Sequence, residues 1–424
     1  MVDKITSRER IKCTLAHRQP NKLPVDLGSS HTTGIHITNV YRLRQYYNLD
    51  KPGTPVKVIE PYQMLGEIAD DLKDAMGVDV AILEGKGTFF GYSKKDWKEW
   101  KLNDGTPVLV PGLFNTEENE DGSVYQYAKG DKSYPPSAKM PAKGFFFDSI
   151  ERQKKIIEEE LNPEDNLEEY SLISKQDLDY LKQQAEDLYN NTEYGIMGAI
   201  CSSSFGDIAF VPAPMLKDPK GIRSVEEWYV STHTRKDYIK KVFSGQMEIA
   251  IENYKRIYKA IGNTIDTIFV SGTDFGMQQG LFISLDAYRE LFKPFHKKVN
   301  KWIHDNTEWK TFIHTCGSVY ELIPDLIDAG FEVLNPVQIS AKDMDPVRLK
   351  KEFGKEIVFW GGGVDTQKTL PLKKPSQVKE EVKRLIDVFS PGGGFVFNTV
   401  HNVQANDPIE NLVAMLEVVQ EYRR

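Results

Sequence analysis

The residues best suited to chemistry lie in the second half of the chain, where His314-Thr315-Cys316-Gly317 follows the run Lys310-Thr311-Phe312-Ile313. At the exit of a strand, residues i and i+2 point to the same face, so an imidazole and a thiolate there would grip one ion. Zinc favours such nitrogen and sulfur donors, with three or four ligands in all. The pattern is short, and its plain alternative is a buried cysteine beside a hydrogen-bonded histidine. His401, in Phe397-Asn398-Thr399-Val400-His401, reads as a metal ligand, a general acid or a hydrogen-bonded loop residue. Asp274, in Gly272-Thr273-Asp274-Phe275-Gly276, presents a carboxylate on a flexible loop and suits a ligand, a base or a helix N-cap.

Each of these residues comes just after a short apolar run. Such runs occupy residues 267–270, 310–313, 333–335, 357–360 and 395–397, with helical stretches such as 319–329 and 377–388 between them. Strand, polar or glycine-rich loop, helix and strand again is the signature of βαβ units around a parallel sheet. Polar residues recur after many successive strands rather than at one switch point, which favours a closed barrel over an open sheet. The expected fold is α/β, a single (β/α)₈ TIM-type barrel spanning residues 1–424. Its strand ends would gather Asp274, His314, Cys316, Gln338 and His401 around one opening.

The opening segment Thr6-Ser7-Arg8-Glu9 fits a capping box, with Ile11 and Leu15 on one face of a helix that ends before Pro20. Leu23-Pro24-Val25-Asp26-Leu27-Gly28 reads as the first strand. From 97 to 147, turn dipeptides such as Asp104-Gly105 and Asp121-Gly122 between strand-like runs predict an antiparallel β insertion. Residues 150–190, rich in Glu, Lys and Gln, predict a helical insertion on the solvated outside.

The 424 residues, 40% hydrophobic and 27% charged, suffice for a large core. A net charge of −8 without a basic stripe gives no case for nucleic acid or an anionic membrane. No window approaches the ~20 apolar residues of a membrane span, and the first residues lack a signal-peptide core, so a cytoplasmic protein is expected. Three cysteines are too few for a disulfide framework. Cys13 is expected to be inert on its helix, and Cys201 structural at the end of the run 195–200. Of the other histidines, His17 lies near a helix end, and His31 and His36 lie in the loop after the first strand. His296 and His304 are expected to be solvated on a charged helix. Gly361-Gly362-Gly363 allows close approach of a ligand after a strand, whereas Gly392-Gly393-Gly394 reads as a turn. Neither matches a nucleotide motif.

The chain resembles the uroporphyrinogen decarboxylase superfamily over most of its length. The resemblance rests on Ser7-Arg8-Glu9-Arg10 through Pro20–Asp26, on Gly272-Thr273-Asp274-Phe275-Gly276 leading into Ile283-Ser284 and Phe292-Lys293-Pro294, and on Phe397-Asn398, His401, Pro408 and Glu410-Asn411. In the branch of zinc-dependent corrinoid methyltransferases, a H-x-C motif and a later cysteine bind zinc. His314 and Cys316 match the first part, and the later cysteine falls at His401, itself a competent ligand. The resemblance thus implies Zn²⁺ on His314, Cys316 and His401, with Asp274 fourth. It implies catalytic roles for His401 and Asp274 and corrinoid contacts from Gln338, Gly361, Gly362 and Asn398. It also implies a small methyl donor or acceptor and a corrinoid-binding partner protein. The zinc would act as a Lewis acid on the oxygen or sulfur of that compound. The loop 29–36 and the β insertion would shape the substrate pocket or the docking face. The decarboxylase branch carries a histidine in the closing motif, as here, and an R-Q-x-G-R segment that binds substrate carboxylates. The stretch Gly28–His36 holds no arginine in its place. The alternatives are a metal-independent decarboxylase using His401 and Asp274, and a non-catalytic corrinoid- or metal-binding accessory protein.

Overall fold

A computed structural model describes residues 5–200 and 203–423. Seven parallel strands lie side by side in chain order: Val80–Glu84, Gly195–Ala199, Thr267–Ser271, Lys310–His314, Val333–Asn335, Val358–Trp360 and Phe395–Val396. The extended residues 24–26 join the two edges. Val25 bridges Phe397 in parallel, the Asp26 N–H donates to the Phe397 carbonyl at 2.9 Å, and the Asp79 N–H donates to the Val25 carbonyl at 2.8 Å. The sheet therefore closes on itself, and the expected (β/α)₈ barrel is the observed fold.

Alternation along the strands sorts their side chains between two cores. Val80, Met197, Phe269, Phe312, Val333, Val358, Trp360 and Val396 fill the barrel interior, packed with Ile11 and Leu15 of the helix Ser7–Leu15. That helix is started by the expected capping box. The Glu9 N–H donates to the Thr6 hydroxyl at 3.2 Å, and the Thr6 N–H donates to the Glu9 carboxylate at 2.8 Å. The intervening residues, such as Ile268, Val270, Ile313 and Leu334, join the larger core beneath the outer helices. The helix Pro375–Phe389 shows why those helices dock: Val378, Val382, Leu385, Ile386 and Phe389 recur at helical spacing and are buried.

The early part of the barrel is elaborated. Between residues 24–26 and Val80–Glu84 the chain forms two helices, Ile37–Tyr46 and Asp70–Met76, and the strands Val56–Glu60 and Leu65–Gly66. A longer excursion separates Val80–Glu84 from the helix Lys175–Asn191. The predicted antiparallel insertion is present here, but it differs in two respects. It continues past residue 147 to Asp148–Ser149, and its strand Pro107–Val110 pairs in parallel with Val56–Glu60 from the preceding excursion. Between 150 and 190 only Lys175–Asn191 is α-helix. The preceding segment is irregular with short 3₁₀ turns, held by tertiary bonds such as the Ile173 N–H to the Asn253 side chain at 2.8 Å. No helix among the described residues is long and apolar enough to cross a membrane.

Candidate active site at the barrel mouth

Because His314 lies two residues beyond Phe312, its side chain continues the inward-facing row and tops the barrel core. Beneath it lies a layer of inward polar groups. His314 Nδ1 meets Asn335 Oδ1 at 2.6 Å, Asn335 Nδ2 donates to the Trp360 carbonyl at 2.8 Å, and Trp360 Nε1 donates to Asp26 at 2.8 Å. Engagement of Nδ1 leaves Nε2 of His314 facing the mouth. Cys316 Sγ lies 3.5 Å from that nitrogen. One ligand atom each from His314, Cys316 and His401 lies within 4.8 Å of the others.

The turn carrying Cys316 is fixed by close backbone packing. Gly317 has φ +88°, and a Cβ there would fall 2.3 Å from the backbone of Gly276, so glycine is required on both steric and conformational grounds. The contact brings the loop after Thr267–Ser271 against the loop after Lys310–His314. In consequence the Cys316 N–H donates to Asp274 Oδ1 at 2.7 Å, and the Gly317 N–H donates to Gln338 Oε1 at 2.7 Å. The rings of His401 and His314 meet edge to face at 6.0 Å. The neighbouring Asn402 ties the two ends of the chain together, accepting the Gly34 N–H at 2.6 Å and donating to the His31 carbonyl at 2.8 Å.

Burial, with the nearby His314, lowers His401 to about 4, so its imidazole is neutral and able to ligate. Burial also pushes the Cys316 thiol well above its ordinary value, aided by the carboxylates of Asp274 and Asp207. A thiol so placed ionises readily only with a cation beside it, which is what a bound metal provides. Two imidazoles and one thiol, one imidazole already oriented by a side-chain amide, make a donor set that fits zinc with a position left open.

These groups stand at the floor of a cavity of about 950 Å³ that includes His314, His401 and Asp274 in its lining. The other sequence-predicted residues do not join the cluster of three. Asp274 is outside the set of three mutually close ligand atoms and instead fixes the Cys316 backbone. Gln338 braces Gly317. Asn398 is fully buried and donates to the Asp26 carbonyl at 2.8 Å. Gly361 and Gly362 have φ +112° and +82°, and a Cβ on either would press on Thr399 or Val337, so both serve close packing. None of these last four residues lines the cavity. Cys201 lies outside the described residues. Cys13 is half-buried, with its sulfur 3.4 Å from the Arg18 carbonyl. His304 pairs with Glu332 at 3.1 Å, but His296 is fully buried among Phe205, Phe275, Tyr288 and Phe331, contrary to the expected solvated position.

Sequence reasoning gave too little weight to His31, Asp207 and Glu60, all of which line the cavity. His31 packs on Phe269 at 4.9 Å and is lowered to about 4 by burial and by His314. Asp207 follows the strand Gly195–Ala199 through the loop containing Ser203 and Ser204, so the strand-end rule would have found it.

Comparison with known proteins agrees with this architecture. A methyltransferase from Methanosarcina mazei superposes with a TM-score of 0.54 at 15% identity, covering 99% of this chain and all of that one, which is a likeness of fold. The AoRut crystal structure is 15% identical over 59% of this chain and 72% of its own, with a TM-score of 0.34. No curated protein matches. The model of the uroporphyrinogen decarboxylase (URO-D) family matches from Met215 to Tyr422, the stretch that supplies His314, Cys316 and His401. By that match and by its barrel, residues 215–422 of this chain are similar to the uroporphyrinogen decarboxylase family.

Proposed function

We propose that the protein is a zinc-dependent methyltransferase. It would move a methyl group between a small O- or S-methyl compound, or an acceptor thiol, and a corrinoid carried on a partner protein. The observation that carries this reading is the convergence of His314, Cys316 and His401 within 4.8 Å at the mouth of the barrel. His314 Nε2, Cys316 Sγ and one His401 nitrogen would hold the ion. When bound, zinc supplies Lewis acidity toward the oxygen or sulfur of the substrate. The chain does the rest. Asn335 orients His314, Asp274 and Gln338 fix the Cys316 turn, and Asp274 stands where it can take the proton that the Cys316 thiol gives up. The cavity would hold the substrate against the His31 and Phe269 wall.

The decarboxylase alternative finds less support. Among the described residues the cavity lining contains no arginine and a single lysine, Lys94, too little positive charge for a polyanionic tetrapyrrole. The decisive experiment is metal stoichiometry of the purified protein by elemental analysis, beside Cys316→Ser. About one zinc per chain, lost in the variant, is the expected result. Metal-free native protein, or a variant with full metal content, overturns the reading.

A further inference from the structure

The cavity wall contributed by the early insertions has a chemistry of its own. Three lining rings form a continuous corner: Tyr62 and Phe89 lie 4.7 Å apart at 59°, and Phe89 and Phe210 lie 5.0 Å apart at 81°. The steep angles turn the three ring faces in different directions. Two carboxyl groups of the same lining are hydrogen-bonded to the segments that carry Tyr62 and Phe210. Glu60 accepts the backbone N–H groups of Tyr62 and Gln63 at 3.0 and 2.7 Å, and Asp207 accepts that of Ala209 at 2.9 Å. The one lysine of the lining, Lys94, is ion-paired with Glu84. Among the described residues no lysine or arginine pairs with Glu60 or Asp207. Burial raises Glu60 to about 7, against the lowering influence of the nearby Lys94, and raises Asp207 to about 8.

Ring faces attract cations through their quadrupole, and quaternary ammonium groups are the ligands such surfaces recognise best. Carboxyl groups in the same lining ionise more readily with a cation beside them, which adds to the attraction and disfavours anions. We propose that the Tyr62–Phe89–Phe210 corner, with Glu60 and Asp207, binds a quaternary or protonated ammonium group. Resting on the function proposed above, the compound whose oxygen or sulfur meets His314, Cys316 and His401 is then a cation rather than a carboxylate or sulfonate.

Choline and its neutral isostere 3,3-dimethylbutan-1-ol test the corner by calorimetry on the full chain with its metal. Choline is expected to bind at least ~10-fold more tightly, with Phe89→Leu and Glu60→Gln each weakening it by ~5-fold or more and leaving the isostere unaffected. Equal affinity for the two probes, or no choline binding at about 50 mM, overturns the proposal. If Phe89→Leu does not fold, Glu60→Gln decides the matter, because that change keeps the side-chain shape. Repeating the titration with Cys316→Ser separates the two readings. Choline binding that persists when zinc proves absent from the native protein sinks the metal reading alone. Zinc that is present while choline fails to bind sinks the cation site alone.

Discussion

From Thr267 onward the chain runs strand, short loop, helix and strand, whereas the first two strands are followed by long excursions that fold into small sheets of their own. The later region supplies the candidate donor set among the described residues, His314, Cys316 and His401. The earlier one supplies most of the wall, from the loop holding His31 through Glu60, Tyr62, Phe89 and Phe147 to Asp207 and Phe210. Short loops hold side chains to within tenths of an ångström, which metal binding needs. Long ones shape a volume and can be altered without moving the ligands. The family match begins at Met215, so it covers the region of ligands and not that of the wall.

The division can be broken most severely at Gly317. Gly317→Ala forces a left-handed residue and a backbone clash, and it should lower metal affinity ~100-fold and stability by ~2–4 kcal/mol, read by chelator competition and denaturant melts. Asn335→Ala removes the partner of His314 Nδ1 and should weaken zinc binding by ~10–100-fold in the same competition assay. His31→Ala works on the other side of the division. Zinc content should be unchanged while the substrate KM rises by ~3–10-fold; lost metal instead would show that the early region helps build the centre.

The smallest effect concerns pH. Asp207 is raised to about 8 in the folded protein, so the stability it confers is complete below its ordinary value near 4 and is lost as pH climbs through about 8. Asp207→Asn should flatten that decline and be more stable than the native chain at pH ~9, by ~1–2 kcal/mol in urea melts. A variant with an unchanged profile would show that Asp207 is solvated, and with it this part of the wall.

The later strands were legible because each is a short run apolar on both faces, bounded by a polar strand end and a helix. His314, Cys316 and His401 were legible for the same reason, since strand-end position alone predicts their convergence. The excursions were harder. Val56-Lys57-Val58-Ile59-Glu60 mixes alternation with a doublet, and its parallel partner Pro107–Val110 lies far along the chain, where no local signal points. Residues 150–174 have a helix-like composition, but long-range bonds hold them in irregular turns. The reading of His296 missed a pattern that was present. Lysines surround it in sequence, yet His296, Val299, Asn300 and Ile303 fall at helical spacing on one buried face. Gly361 and Gly362 resembled a ligand cradle, because a glycine needed for packing and one needed for a ligand look alike in sequence.

The seam where residues 24–26 lie against Phe397 has a consequence for assembly. Asn398 and Asp26, which hydrogen-bond across it, stand 372 residues apart along the chain. Contacts of such separation carry a large loop-closure cost until intervening structure has shortened the path between their ends, so barrel closure is expected late in folding. His401 sits just beyond the seam, and Asn402 fastens that turn to the Gly34 and His31 backbone. His401 therefore reaches His314 and Cys316 only when the circle is complete. On the zinc reading proposed above, metal uptake by a refolding chain would time that closure, and a partly folded chain would offer the ion two ligands at most.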